Sequence, residues 1–259
     1  MKNAAAHMPK ILARIKKQGC VLMLDFDGVL SSIVRTPHRA SFSSRTRRLL
    51  ARCAAHMPVA IITGRPLADI MRRVGLQGLV YAGSHGFEWK INGHAERRRV
   101  SAHAAADFRA ARRTLLACAT GFRGTLAEEK RHCLAVHYRG LSRAGELRFR
   151  RAAHAAMAPF AGAIRVIDNL CTFEIMPSAE WTKGDCARLI WRGFCNGAVP
   201  VPIYIGDSLT DEDAFLALKK GITIRVGRNI ESAARYFFKT RAEVNAFLAA
   251  LTRGLYATR

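Results

Sequence analysis

Two continuous apolar runs of strand length, "VLML" at 21–24 and "VAII" at 59–62, limit the folds open to this chain more than any other feature. A strand without polar alternation is buried on both faces, and a parallel sheet with helices packed above and below provides that burial. The intervening sequence supplies the helices. Residues 43–56 read as a helix with Leu49, Leu50 and Cys53 turned inward. After Pro66, which suits a first helical turn, Leu67, Ile70, Met71 and Val74 recur at i, i+3, i+4 and i+7 before Gly75. A third strand is expected at 79–82, ending in "GSHG", and the basic segment before residue 20 reads as a short helix.

From about residue 101 the texture changes. An Ala/Arg helix at 104–119 leads to "HCLAVHYRG", a second Ala/Arg helix at 142–157, and the strands "AIRVI" and "CTFEIM" around an Asp-Asn turn. The parallel pattern resumes after Pro177 with a helix from Gly184, the strand "VPIYIGD", a helix from Asp211, the strand "ITIRVG" and a last helix opened by a capping box of Thr240 and Glu243. The expected organisation is therefore α/β, with a parallel-sheet core at 1–102 and 178–259 interrupted by a smaller α+β domain at 103–177.

Length and charge narrow the function classes. A chain of 259 residues can bury a large core. No window approaches the roughly 18 to 20 uninterrupted apolar residues of a membrane span, and the N-terminal segment lacks the apolar stretch and cleavage site of a leader, so a cytoplasmic location is expected. Seven cysteines without a C-x-x-C pair suit reduced core residues. The net charge of +23 is Arg-heavy but scattered. Without a recognisable nucleic-acid motif it fits an anionic ligand or solubility better than a nucleic-acid partner.

In open parallel sheets ligands bind beyond the carboxyl ends of the strands, and the polar residues collect there. Asp25 and Asp27 end the first strand, Thr63, Gly64 and Arg65 the second, Ser84, His85 and Gly86 the third, and Gly206 and Asp207 a later one. Lys183 precedes the helix that leads to "VPIYIGD", and Asp211 stands four residues after Asp207. Carboxylates, a lysine and a hydroxyl on one sheet edge are what Mg2+-assisted phosphoryl transfer uses. A calcium loop starting at Asp25 fails, because its sixth and twelfth positions hold Leu30 and Thr36 rather than Gly and Glu. A glycosidase would use two carboxylates but has no need of Lys183 or the Asp207/Asp211 pair.

Four segments in order, "DFDGVL" (25–30), "ITGR" (62–65), Lys183 and "GDSLTDED" (206–213), resemble the motifs of the haloacid dehalogenase-like hydrolases. The resemblance implies a Rossmann-like core and a phosphatase. Asp25 would be the nucleophile and Asp27 the acid and base, and Thr63 and Lys183 would hold phosphate oxygens. Mg2+ would sit on Asp25, Asp207 and the Asp27 main chain, with Asp211 as a further ligand or support. Arg65, Ser84, His85 and Gly86 become candidate substrate contacts. "LDFDGVLSSIVRTPHRA", "GSHGFE", "EEKRHCLAVHYRG", "FEIMP" and "WTKG" are further similar to segments of trehalose-6-phosphate phosphatases. In that family a mobile α/β cap closes over the sugar phosphate, which implies that Glu128, Lys130, Arg139 and Glu174 grip the sugar. The first motif of that family more often has Thr where this chain has Val29. A phosphatase for another sugar phosphate, such as sucrose phosphate, and a basic nucleic-acid binder on an inactive hydrolase scaffold are the alternatives.

Overall fold

The computed structural model describes residues 1–33, 40–169, 171–178 and 181–254. It divides into two compact units, 1–97 with 182–259 and 98–181, so the inserted unit is a few residues longer at each end than 103–177.

The first unit begins with β1 (Lys2–Asn3), α1 (Met8–Gln18), β2 (Cys20–Leu24), α2 (Ser44–Ala54), β3 (Val59–Ile62), α3 (Leu67–Val74), β4 (Val80–Gly83), β5 (Glu88–Ile91) and β6 (His94–Arg97). The inserted unit contributes α4 (Ala102–Thr120), β7 (Leu126–Lys130), β8 (Cys133–His137), α5 (Arg143–Met157), β9 (Ile164–Asn169) and β10 (Thr172–Pro177). The first unit then resumes with α6 (Lys183–Gly193), β11 (Val201–Gly206), α7 (Glu212–Ala217), β12 (Ile222–Val226), β13 (Tyr236–Phe238) and α8 (Arg241–Gly254).

Its sheet runs β1-β13-β12-β11-β2-β3-β4-β5-β6. All pairings from β1 to β4 are parallel. Alternation along the strands builds two faces. Leu22, Leu24, Val59, Ile61, Ile203 and Ile205 pack with Ile11 and Ile15 of α1, Leu49 and Leu50 of α2, Ile70 of α3, and Phe247 and Leu248 of α8. Val21, Met23, Ala60, Ile62 and Tyr204, on the other face, are also buried. Both faces are covered, as continuous apolar strands require.

Three features depart from the sequence reading. Asn92-Gly93, with φ of +50° and +87°, closes an antiparallel β5–β6 hairpin on the edge of the sheet. Asn-Gly between two strands is a strong hairpin signal, hidden here by the mixed charge of the flanking residues. Asp168 and Asn169 lie inside β9 opposite Phe173 and Thr172, so the turn follows them, next to a left-handed Cys171. At the start of α8 the Glu243 carboxylate accepts the N–H of Lys239, one residue short of the capping box expected at Thr240.

The inserted unit is an antiparallel sheet in the order β7-β8-β10-β9. Leu134, Val136, Phe173 and Ile175 point from it into a core made with Phe108, Ala111 and Leu115 of α4 and Phe149, Ala153 and Met157 of α5. Phe149 sits at the centre, 5.3 Å from the Phe122 ring and 5.2 Å from that of Tyr138. The other face of this sheet is not purely polar, since Cys133, Ala135, Ile167 and Met176 are buried there in register with Lys130, Glu174 and Arg165.

Candidate active site

The site is built where β2 and β11 end side by side. Asp25 N–H still bonds Ile205 O at 2.9 Å, which ties the residue to the neighbouring strand. Its Oδ1 accepts the N–H of Phe26 at 2.7 Å, and its Oδ2 accepts Lys183 Nζ at 3.0 Å. Lys183 is the first residue of α6, whose N-terminus is set by a capping box between Thr182 and Asp185. Its ammonium is 2 % exposed and also donates to Asp211 Oδ1 at 2.9 Å.

Asp211 is saturated. Oδ1 further accepts the Tyr204 hydroxyl at 2.8 Å, and Oδ2 accepts the N–H groups of Asp207 and Ser208 at 3.0 and 2.9 Å and Ser208 Oγ at 2.7 Å. A carboxylate offers about four lone-pair sites, so five donors fully occupy Asp211 and make it the clasp of the 207–211 turn. The turn leaves no room for side chains. A Cβ on Gly28, which has φ of +75°, would stand 1.9 Å from Asp207 Oδ2, and one on Gly206 would stand 2.3 Å from Asp211 Cγ.

Carboxylate oxygens of Asp25, Asp207 and Asp211 lie within 4.8 Å of one another. Burial raises Asp25 well above the usual carboxylate range against the pull of Lys183, with Asp211, Asp207 and Asp27 adding repulsion. Burial and Asp211 push Asp207 up to about 7. Asp211 alone lies below its ordinary value, because Lys183 and Ser208 outweigh its burial. One lysine thus faces three carboxylates. The surplus negative charge of hard oxygen donors suits a divalent cation held by Asp25 and Asp207.

Thr63 and Arg65 follow β3. The Thr63 hydroxyl accepts the Arg65 N–H at 3.3 Å, and the Arg65 side chain forks onto Asp27, Nε to Oδ2 at 2.7 Å and Nη2 to Oδ1 at 2.8 Å. Ser31 Oγ also reaches Asp27 Oδ1 at 3.3 Å. Ser84, His85 and Gly86 carry φ of +50°, +59° and +91° in succession. For Ser84 and His85 that costs roughly 1–3 kcal/mol each. Backbone bonds from Ser84 N to Arg65 O and His85 N to Thr63 O enforce it. The Gly64 backbone lies against the His85 ring.

In the inserted unit Glu128, Ala135 and Glu174 stand in register across β7, β8 and β10, on the sheet face opposite α4 and α5. Lys130 Nζ lies 3.5 Å from Glu128 and 3.7 Å from Glu174, and His137 Nε2 lies 3.2 Å from Glu128. Burial alone would raise Glu128, yet His137 and Lys130 bring it down to about 2. Arg139 is exposed, two residues beyond β8, and among the described residues forms no ion pair. Strand β8 stops at His137, and Tyr138, whose N–H bonds Cys171 O at 2.9 Å, still turns inward against Phe149.

The trehalose-phosphatase family model matches residues 23–243. The chain belongs to the trehalose-phosphatase family. Its sequence is 33 % identical to a trehalose 6-phosphate phosphatase of Zea mays over 95 % of this chain and 73 % of that protein. It is 39 % identical to a trehalose-phosphate phosphatase of Mycobacterium tuberculosis over 75 % of this chain and half of the other. Its fold is shared by the C-terminal domain of a C. albicans trehalose-6-phosphate phosphatase, with a TM-score of 0.83, 19 % identity, and coverage of 94 % of this chain and 96 % of that one. A haloacid dehalogenase-like hydrolase of Bacteroides thetaiotaomicron also shares it, with a TM-score of 0.62, 17 % identity, and coverage of 90 % and 98 %. The phosphatase-like segment "LDFDGVLSSIVRTPHRA" continues through residues 34–39, which lie outside the described residues.

For this trehalose-phosphatase family member the structure brings Asp25, Lys183, Asp207 and Asp211 together, joins Asp27 to Arg65, and gathers Glu128, Lys130 and Glu174. It adds residues that the sequence reading passed over. Tyr204 and Ser208 hold Asp211, His137 holds Glu128, and Asp69 holds Arg65. Tyr204 and His137 were within reach of strand alternation, Tyr204 two residues before Gly206 and His137 two after Ala135. Asp69 carried no such signal beyond its place in a first helical turn.

Proposed function

We propose that the chain is a Mg2+-dependent phosphatase that hydrolyses trehalose 6-phosphate to trehalose and inorganic phosphate through an aspartyl phosphate on Asp25. The single observation that carries this reading is the Lys183 ammonium buried between Asp25 and Asp211 at the end of the sheet. It draws the nucleophilic carboxylate towards its ionised form against burial and aims it, while leaving one positive charge among three carboxylates.

A carboxylate oxygen of Asp25 attacks phosphorus, and the bond from phosphorus to the sugar oxygen breaks. That oxygen takes a proton from Asp27, whose side chain is 40 % exposed and so open to an incoming ligand. Asp27, now ionised, takes a proton from water as the water oxygen attacks the aspartyl phosphate, and Asp25 is regenerated. Lys183 and the Thr63 hydroxyl, whose proton is left over after it accepts the Arg65 N–H, would hold phosphate oxygens as charge shifts. Asp25, Asp207 and the Asp27 main-chain carbonyl would hold Mg2+, while Asp211 keeps its five donors and shapes the turn. When bound, Mg2+ supplies the positive charge that offsets the phosphate and the carboxylate surplus. The Glu128, Lys130 and Glu174 cluster would bind sugar hydroxyls. All seven cysteines are free thiols, which supports a reducing compartment such as the cytoplasm.

Phosphate release from a panel of sugar phosphates, with Mg2+ and with a chelator, tests the reading. Turnover should require the metal and favour trehalose 6-phosphate. Metal-independent release would remove the cofactor, and preference for sucrose phosphate would replace the substrate.

A further inference from the structure

We propose that Asp69 is a positioning residue for the acid–base carboxylate of Asp27, acting through Arg65. The proposal rests on the reading of Asp27 as proton donor and acceptor.

Arg65 is divided between two acids. Its Nε and Nη2 edge faces Asp27 at 2.7 and 2.8 Å, and Nη1, on the other side of the guanidinium, reaches Asp69 Oδ2 at 3.3 Å. The guanidinium lies over the Phe26 ring, the residue between the two aspartates, with Cζ 5.4 Å from its centroid. A planar cation resting on an aromatic face can still turn in its own plane. Two anchored edges stop that rotation.

Asp69 is itself held firmly enough to serve as an anchor. It accepts Arg73 Nε at 2.6 Å and Arg72 Nη2 at 2.9 Å, and Arg73 Nη1 continues to Ala40 O at 2.8 Å. Its carboxyl lies below the usual range, because these arginines and Arg65 outweigh its burial. It sits in the first turn of α3, so its own position follows from the helix. Asp27, by contrast, is 40 % exposed and has Arg65 and Ser31 as its side-chain partners. Whatever fixes the plane of Arg65 therefore fixes the direction of the Asp27 carboxylate.

Proton transfer needs donor and acceptor within about 2.6–3.2 Å, and a misplacement of about 1 Å can cost on the order of 100-fold. The consequence depends on the leaving group. A sugar alkoxide leaves only with a proton, whereas p-nitrophenolate leaves without one. Asp27 also activates the water that cleaves the aspartyl phosphate, a step both esters share, so the contrast is read in kcat/KM, which reports the steps up to departure of the leaving group. There a fault in positioning Asp27 shows on the first ester and largely spares the second, while a general structural fault lowers both alike.

The experiment compares kcat/KM of Asp69→Asn, Asp69→Glu and Asp27→Asn on trehalose 6-phosphate, or the aliphatic ester that the sugar-phosphate panel selects, and on p-nitrophenyl phosphate. For Asp69→Asn we expect kcat/KM on the aliphatic ester to fall about 10- to 100-fold, on the scale of a 1 Å misplacement. On the aryl ester it should change less than about 3-fold, a bound set well below that scale. Asp69→Glu should recover part of the loss. If Asp69→Asn does not fold, as judged by its melting curve, Arg65→Lys, which keeps the charge and loses the fork, must show the same contrast between esters. Equal losses of kcat/KM on both esters, or no loss on either, would overturn the proposal. If Asp27→Asn keeps full activity on both esters, the acid–base reading fails first. If it loses the aliphatic ester while Asp69→Asn does not, only the positioning role fails.

Discussion

Asp25 and Asp207 in the first unit are held in the opposite way to Glu128 and Asp168 in the inserted one. In the first unit Asp25 and Asp207 are held above their ordinary range, with burial and neighbouring acids outweighing a single lysine. In the inserted unit Glu128 is pulled down to about 2, and Asp168 also lies low, since Arg150, His154 and Tyr138 outweigh its burial. The first arrangement is short of positive charge and the second is matched. A site left short of charge binds a cation and reacts with a phosphate, whereas a matched one presents oriented hydrogen-bonding groups to a neutral ligand.

The largest effect should come from the short side. Asp25→Asn keeps size and removes the attacking charge, so turnover should fall by at least ~10^4-fold while circular dichroism and melting show an intact fold. Ordinary turnover from a pure sample would break the contrast at its reactive end.

Removing a group from the matched side should have a smaller and more selective effect. Glu128→Ala or Glu174→Ala should cost roughly 1–3 kcal/mol per lost sugar bond, about 5- to 150-fold in kcat/KM for trehalose 6-phosphate. The loss on p-nitrophenyl phosphate, which offers no sugar, should be several-fold smaller. Parallel losses would deny the inserted unit its role in choosing the substrate.

The smallest effect is on stability. Asp207 ionises near 3.8 when unfolded and at about 7 when folded, so without a divalent cation its contribution to stability declines as pH rises through that window. Glu128 is shifted from 4.5 to about 2, so its contribution is complete above the upper value and is lost as pH falls towards the lower. Glu128 is about a third exposed, which keeps its share small. Hydrogen exchange in chelator, corrected for intrinsic rates, should show β11 amides gaining protection from pH 7 to 5 and β7 and β8 losing it only below about 4.5. Loss of β7 protection in the upper window would reverse the contrast.

Much of this was legible in the chain. Apolar runs dictate a doubly covered parallel sheet, and sheet geometry sends Asp25, Thr63, Ser84 and Asp207 to one edge whatever the rest of the sequence does. Those inferences need only the period of a strand and the direction of its crossovers. Glu128, Glu174 and Arg139 came from the resemblance instead, and the register that sets Glu128 beside Glu174 through β8 came from the structure.

What the sequence by itself determined is the fold class, the edge on which chemistry can occur and the types of residue present there. Only the tertiary structure decided how those residues share their charges. Lys183 meets Asp25 across 158 residues, and Arg65 meets Asp27 across 38. Asp211 proves to be saturated by five donors, and Asp69 anchors Arg65. A carboxylate's partners and its pKa depend on distances of a few ångströms between elements far apart in the chain, and no local pattern encodes those distances.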